Sequence, residues 1–439
     1  MLPHLTSDKG EAVPITPVTR DGFAAWLVGA AERDRNWLQA TGFAAEPGKV
    51  ASLPGPDGRL ARILVGVVPD EPLWSIAGLP DTLPEGRYAL DAASWDAATT
   101  TRAVLGWALG GYAFTRYKSR TRSFATLAWP ARTDRAEIER LTRGIFLARD
   151  LINTPAEDMG PAELAAAAAG LAKSAGARCS VITGDELLTA NYPTVHAVGR
   201  ASVRPPRLID LRWGDEGAPK VTLVGKGVCF DSGGLDLKPA AGMKLMKKDM
   251  GGAAIVLGLA SALMDAALPI RLRVLVPAVE NAVSANSFRP MDVIKTRSGK
   301  TVEIGNTDAE GRLILCDALA EADSEKPDLI VDVATLTGAA RVALGPDLPA
   351  LFCNDEALAD SLLRAGGEEA DPLWRMPLWH PYRKLLDSKI ADLNNVADSP
   401  FAGSVIAALY LNEFVAATTP WAHLDVMAWN GSARPGPPA

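Results

Sequence analysis

The chain has 439 residues, a length at which two or three domains are expected rather than one core. A content of 48% hydrophobic and 22% charged residues excludes wholesale disorder, and 45 basic against 52 acidic residues, a net charge of −7, gives no electrostatic reason for nucleic acid as a main partner. The start MLPHLTSDKGEAVP lacks the basic-then-apolar pattern of a signal peptide, and no apolar run reaches the roughly eighteen residues of a spanning helix, so no membrane partner and a cytoplasmic location are expected. Cys179, Cys229, Cys316 and Cys353 are widely spaced without a CxxC, which predicts buried reduced thiols rather than a disulfide framework.

Residues 1–132 are expected to form an N-terminal α/β domain with a structural or assembly role. It has a helical run near 21–40, a turn at Pro56-Asp57-Gly58 ahead of the apolar run 60–68, and a tryptophan-containing second half, but no cluster that carries chemistry. Residues 133–155 read as a linker helix. Asp134 caps it, Ile138, Leu141, Ile145, Ala148 and Ile152 share one face, and Asn153-Thr154-Pro155 stops it. Across 156–439, strands at 221–225, 271–277 and 328–334 alternate with helices at 161–173, 251–264, 313–322 and 404–416. That alternation predicts a larger α/β domain with a mostly parallel sheet covered by helices. Sites in such sheets lie beyond the carboxyl ends of strands, where Lys226 and Thr335 stand. Apart from the alanine run 165–169, there is no low-complexity segment and no internal repeat.

Chemistry concentrates in two glycine-rich stretches. The first runs Val224-Gly225-Lys226-Gly227-Val228-Cys229-Phe230-Asp231-Ser232-Gly233-Gly234, followed by Lys238 and by Asp249 ahead of Met250-Gly251-Gly252. The second is Asn306-Thr307-Asp308-Ala309-Glu310-Gly311-Arg312-Leu313. Four acids so placed are costly to bury unless cations neutralise them, and the four negative charges of Asp231, Asp249, Asp308 and Glu310 match two divalent ions. This predicts a two-metal hydrolase. Blander readings stand beside it: a Lys226–Asp231 salt bridge at a turn, Asp249 as a helix cap, and Arg312 as a simple partner of two loop carboxylates. Asp308 and Glu310, two apart, are expected on one side of an extended segment. A phosphate-binding loop is disfavoured because the GxxxxGK[ST] spacing is absent. There is no HExxH and no GxSxG, and His4, His196, His380 and His423 read as packed or surface residues. A metal would therefore rely on oxygen ligands, which suits Mg²⁺ or Mn²⁺ and also accepts Zn²⁺.

The stretch GKGVCFDSGGLDLKPAAGMKLMKKDMGGAA followed by NTDAEGRL resembles the leucyl aminopeptidase family, the cytosol aminopeptidases. Further likeness covers VGRAS at 198–202, RPMDVI at 289–294, DVATLTGA at 332–339, IADLNN at 390–395 and WAHLDV at 421–426. The resemblance implies a dimetal aminopeptidase domain over 156–439. One metal would be held by Lys226, Asp231, Asp249 and Glu310, and the other by Asp231, Asp308 and Glu310, with Asp231 and Glu310 bridging. Lys238 and Arg312 would occupy the two catalytic positions, Lys238 facing the oxyanion and Arg312 holding a bicarbonate that acts as base. Metals of this kind, roughly 3.5–4 Å apart, polarise a carbonyl and acidify a bridging water. A lysine ligand must be neutral, a state that burial and adjacent dications favour. Met246, Asn306, Thr335, Leu336 and Gly338 would form a mainly apolar substrate site preferring leucine or methionine at the peptide N-terminus. The same resemblance implies Mn²⁺ or Zn²⁺, with Mg²⁺ or Co²⁺ as alternatives, and a homohexamer acting on peptides.

After Asp425 the chain runs through WNGSARPGPPA, where relatives have a glycine-containing loop and a final helix, so the distal pocket wall is not defined by the resemblance. Two competing readings remain: a DNA-binding protein using Arg116, Lys118, Arg120 and Arg122, and a two-metal amidase or deacetylase of small molecules.

Overall fold

The computed structural model describes residues 2, 4–8 and 10–431 and divides them into two compact units, the described residues up to 146 together with 431, and 147–430. The end of the tail, 432–439, lies outside the described residues. The division falls within one long helix, Arg135–Asn153, whose first turn is capped by Asp134 Oδ1 accepting from Glu137 N at 3.0 Å.

The N-terminal unit is a six-stranded sheet in the order Leu5–Thr6, Thr126–Ala128, Arg87–Leu90, Val13–Thr19, Leu60–Val67, Val50–Pro54. The turn at Pro56-Asp57-Gly58 joins the antiparallel pair Val50–Pro54 and Leu60–Val67, and the run near 21–40 is two helices, Phe23–Gly29 and Glu32–Thr41. The second half contributes Ala97–Gly110, which buries Trp107 with its indole N–H on the His4 carbonyl at 3.1 Å. The basic cluster is partly used by the fold itself: Arg120 pairs with Asp81 at 2.5 Å and lies over the Phe124 ring, while Arg122 donates to the Asp81 carbonyl.

The second unit is built on a nine-stranded mixed sheet. Its centre is parallel: Trp421–Asp425, Leu329–Ala334, Lys220–Gly225 and Arg271–Asn281 lie side by side, and Gly227–Asp231 continues along the far half of Arg271–Asn281. Antiparallel strands flank this core, with Arg207–Trp213 and Arg178–Thr183 on one side and Ala350–Cys353 on the other. The central strands are near-continuous apolar runs because helices cover both faces. Pro161–Ser174 and Gly251–Asp265 pack on one face, and Pro193–Gly199, Glu310–Ser324 and Gly403–Asn412 on the other. Close approach is built in at Gly252, where a Cβ would sit 2.0 Å from the Val333 carbonyl oxygen.

Register sets up the site. Gly225 pairs with Val333 and Ala334 pairs with Asp425, so Lys226, Thr335 and Asp425 gather at the carboxyl end of the parallel core. Among the described residues no helix is long and apolar enough to cross a membrane, and all four cysteines are free thiols.

Candidate metal centre

Lys226 emerges between two strands and turns its ammonium inward. Its Nζ lies 2.7 Å from Asp249 Oδ2 and 2.8 Å from Glu310 Oε1, and donates to the Thr335 carbonyl at 3.0 Å. The blander Lys226–Asp231 pairing is not what forms. Asp231 instead takes Lys238, whose Nζ spans Asp231 Oδ2 at 2.8 Å and Asp308 Oδ1 at 2.6 Å. Asp249 precedes the helix Gly251–Asp265 but does not cap it; Oδ1 accepts from Thr335 Oγ1 at 2.7 Å. Arg312 is no partner of the loop carboxylates either, since its Nη1 donates to the Asn395 carbonyl at 2.5 Å.

Asp308 and Glu310 converge differently from the extended segment expected. Asp308 sits in a tight turn, with its N–H on Asn306 Oδ1 at 2.7 Å, and Glu310 opens the helix Glu310–Ser324. The helix therefore starts three residues before 313, and the turn rather than a pleat brings the two carboxylates together. Oxygens of Asp231, Asp308 and Glu310 lie within 4.8 Å of one another.

The electrostatics of this cluster call for more positive charge. Four carboxylates face two paired ammoniums, and the buried Glu310 Oε2 has no hydrogen-bond partner. Burial and the Asp231 charge push the Glu310 carboxyl up to about 8, and the same two causes push Asp308 up to about 6. Burial disfavours the ammonium of Lys226, but Asp249, Glu310 and Asp231 more than offset it and hold the group above its ordinary range. Lys238 is raised likewise, burial being overcome by Asp231 and Asp308. A donor set of carboxylate oxygens with an orphaned oxygen at its centre fits divalent cations.

All twelve residues singled out from the sequence line one cavity of about 720 Å³: Lys226, Asp231, Lys238, Met246, Asp249, Asn306, Asp308, Glu310, Arg312, Thr335, Leu336 and Gly338. No histidine lines it. Several supporting residues were not foreseen. Asn281 donates to Asp231 Oδ1 at 2.9 Å and to the Thr307 carbonyl at 3.1 Å. Asn395 holds the Gly305–Asn306 turn through both ends of its side chain. Asp425, buried and raised by that burial, accepts Leu336 N at 3.0 Å, Thr337 N at 3.2 Å and Thr337 Oγ1 at 2.7 Å, fixing the loop after Ala334. Asn395 and Asp425 lie in IADLNN and WAHLDV, so the sequence marked their neighbourhoods without giving them roles; Asn281 had no such signal. Lys248 and Arg341 also line the cavity.

Residues 146–436 match the cytosol aminopeptidase family catalytic domain, and residues 13–130 match the M17 aminopeptidase N-terminal domain. A probable cytosol aminopeptidase of Roseiflexus castenholzii is 42% identical over 353 residues, covering 74% of this chain and 70% of the relative. One from a Geobacter species is 44% identical over 355 residues, covering 77% and 72%. Among solved structures, a cytosol aminopeptidase from Coxiella burnetii superposes with a TM-score of 0.95 at 50% identity, covering 99% of this chain and 95% of that one. The bottromycin maturation enzyme BotP in complex with Mn gives 0.87 at 36% identity, covering 97% and 94%.

Proposed function

The chain belongs to the cytosol aminopeptidase family and is a peptidase, and from that premise we propose that it removes N-terminal residues from peptides at a pair of divalent cations. The observation that carries this is the convergence of Asp231, Asp249, Asp308 and Glu310 with Lys226 and Lys238 in one cavity. Lys226, Asp231, Asp249 and Glu310 would hold one ion and Asp231, Asp308 and Glu310 the other, Mn²⁺ or Zn²⁺ being the best candidates. Bound there, the ions supply Lewis-acid polarisation of the scissile carbonyl and an acidified water.

The remaining roles fall to this chain's own groups. Lys226 joins such a set only as the neutral amine, so cation entry is coupled to loss of its proton. Lys238 presents an ammonium to the oxyanion that develops on the substrate carbonyl. Arg312, buried and with its Nε unpartnered, is the group that would hold a bicarbonate acting as base. Met246, Leu336 and Gly338 present a mainly apolar wall suited to leucine-sized first residues, with Asn306 and Thr335 beside them. We further place the N-terminal unit in assembly, the helix Arg135–Asn153 as its linker, and the active form as a cytoplasmic homohexamer, which sedimentation would test.

The decisive experiment compares leucine amide with N-acetyl-leucine amide before and after chelation. Hydrolysis of the free-amino substrate alone, lost with metal and restored by Mn²⁺, supports the reading. Cleavage of the blocked substrate at equal rate, or full activity without metal, refutes it in favour of a general amidase or metal-free chemistry.

A further inference from the structure

Lys248 is a charge without a counter-ion. It lies between Met246 and Asp249 in the short 3₁₀ turn Met246–Met250, is only 6% exposed, and lines the same cavity. Among the described residues, nothing accepts a hydrogen bond or ion pair from its Nζ.

The anions that stand near it are already engaged. Asp249 is held by Lys226 Nζ at 2.7 Å and by Thr335 Oγ1 at 2.7 Å. Asp425 gives Oδ1 to the N–H groups of Leu336 and Thr337 and Oδ2 to the Thr337 hydroxyl. A second cation adds to the imbalance: Arg341 lies at the rim with Nη1 3.8 Å from Met427 Sδ. This end of the cavity thus has two cations, two engaged carboxylates, and apolar surface from Met246, Leu336 and Met427.

A largely buried ammonium with no acceptor is unfavourable, and a ligand carboxylate relieves that cost while an apolar side chain does not. Lys248 lines the same cavity as Met246, Leu336 and Met427. It is two positions from Met246, and its neighbour Asp249 is tied directly to Thr335 at the start of the Thr335–Gly338 loop. A short methylene stem against Met246 and Leu336, ending in an anion at Lys248, is the complement of this pocket.

We propose that Lys248 makes the first-residue pocket selective for an acidic side chain, glutamate or aspartate, beside the leucine-sized apolar residues its walls admit. The inference rests on the aminopeptidase reading and narrows its substrate class. The test uses the Mn²⁺-loaded enzyme and 4-nitroanilides of glutamate, glutamine, aspartate, asparagine and leucine, with the α-amino group free.

Glutamate and glutamine share shape and differ in charge, so their kcat/KM ratio isolates the ammonium. We expect at least about a tenfold advantage for glutamate in the unmodified enzyme, since a charge-assisted bond is replaced by a neutral one. The ratio should fall to about one in Lys248→Met and recover in part in Lys248→Arg. A ratio of one or below in the unmodified enzyme overturns the proposal without any variant, as does a ratio that Lys248→Met leaves unchanged. If Lys248 instead speeds only leucyl dipeptides with a free C-terminal carboxylate, it reads the far end of the substrate and the proposal fails. Loss of the leucine and glutamine anilides together would instead mean that the aminopeptidase reading itself had failed.

Discussion

Gly311→Ala tests the site through a single methyl group. A Cβ at Gly311 would lie 2.7 Å from Lys226 Cε and 2.9 Å from its Cδ and Nζ. Reaching ordinary contact requires Lys226 to retreat by about 0.7 Å, because close-packed interiors do not tolerate carbon atoms much nearer than van der Waals contact. The tip of a lysine can make that move without disturbing the backbone, so the steric cost to folding is small. The position is in the first turn of the helix Glu310–Ser324, where alanine gains less over glycine than the roughly 1 kcal/mol of a helix interior. Any fall in melting temperature should therefore come from the disturbed ion pairs of buried Lys226 and not from the backbone. Function does not escape so lightly. Lys226 Nζ holds Asp249 at 2.7 Å and Glu310 at 2.8 Å, and a shift of this size breaks at least one of those contacts and misplaces a proposed metal ligand. A displacement of about 1 Å at a reacting centre costs on the order of 100-fold. Gly170→Ala is the control, since it lies in the helix Pro161–Ser174 with nothing within 4 Å of the added methyl. It should stabilise by about 1 kcal/mol. The assay is leucine-amide hydrolysis with Mn²⁺, alongside metal content and thermal melting of both variants. A Gly311→Ala enzyme with wild-type kcat/KM and metal content would refute the reasoning, and so would one that fails to fold.

Lys238→Ala should lower kcat by about 10²–10³ with a smaller change in KM, because its ammonium faces charge that is full only in the transition state; retained kcat refutes that role. Asp231→Ala and Glu310→Ala should each reduce bound metal at both positions, whereas Asp249→Ala should empty chiefly one, which elemental analysis of the three proteins decides. Asp425→Ala should raise KM more than it lowers kcat, since three donors of the Leu336–Thr337 segment lose their acceptor, and steady-state kinetics with leucine anilide reads the split. His4 should make the fold acid-sensitive. Burial lowers its pKa from 6.5 to about 4, so its share of stability is complete above pH 6.5 and is lost as pH falls toward 4, about 3 kcal/mol in all. The stability difference between wild type and His4→Leu should therefore change across that window; a pH-independent difference in denaturant midpoints would refute it.

What was legible in the sequence was whatever physics forces to be local. Four acids and three cations in glycine-rich stretches announce an electrostatic problem, and long apolar runs such as Arg271–Asn281 announce strands buried on both faces. The flanking strands Arg178–Thr183 and Arg207–Trp213 alternate with polar residues because helices do not fully bury them, so they fall below the apolar signal, whereas the mostly parallel core that the apolar runs predict is the one that forms. The helix begins at Glu310 although Asp308-Ala309-Glu310-Gly311 has no apolar period, its first turn being determined by what Glu310 must face. Asn281 was invisible for a different reason: it meets Asp231 only because Gly227–Asp231 pairs in register with the end of Arg271–Asn281. Lys248 shows the limit most clearly. In MKKDMGG two adjacent lysines look equivalent, yet Lys247 leaves the cavity for the Asn153 carbonyl at 2.6 Å while Lys248 turns inward without a partner. Which of two identical side chains a turn buries depends on the whole packing around it, and here that choice decides which substrate charge the pocket can accept.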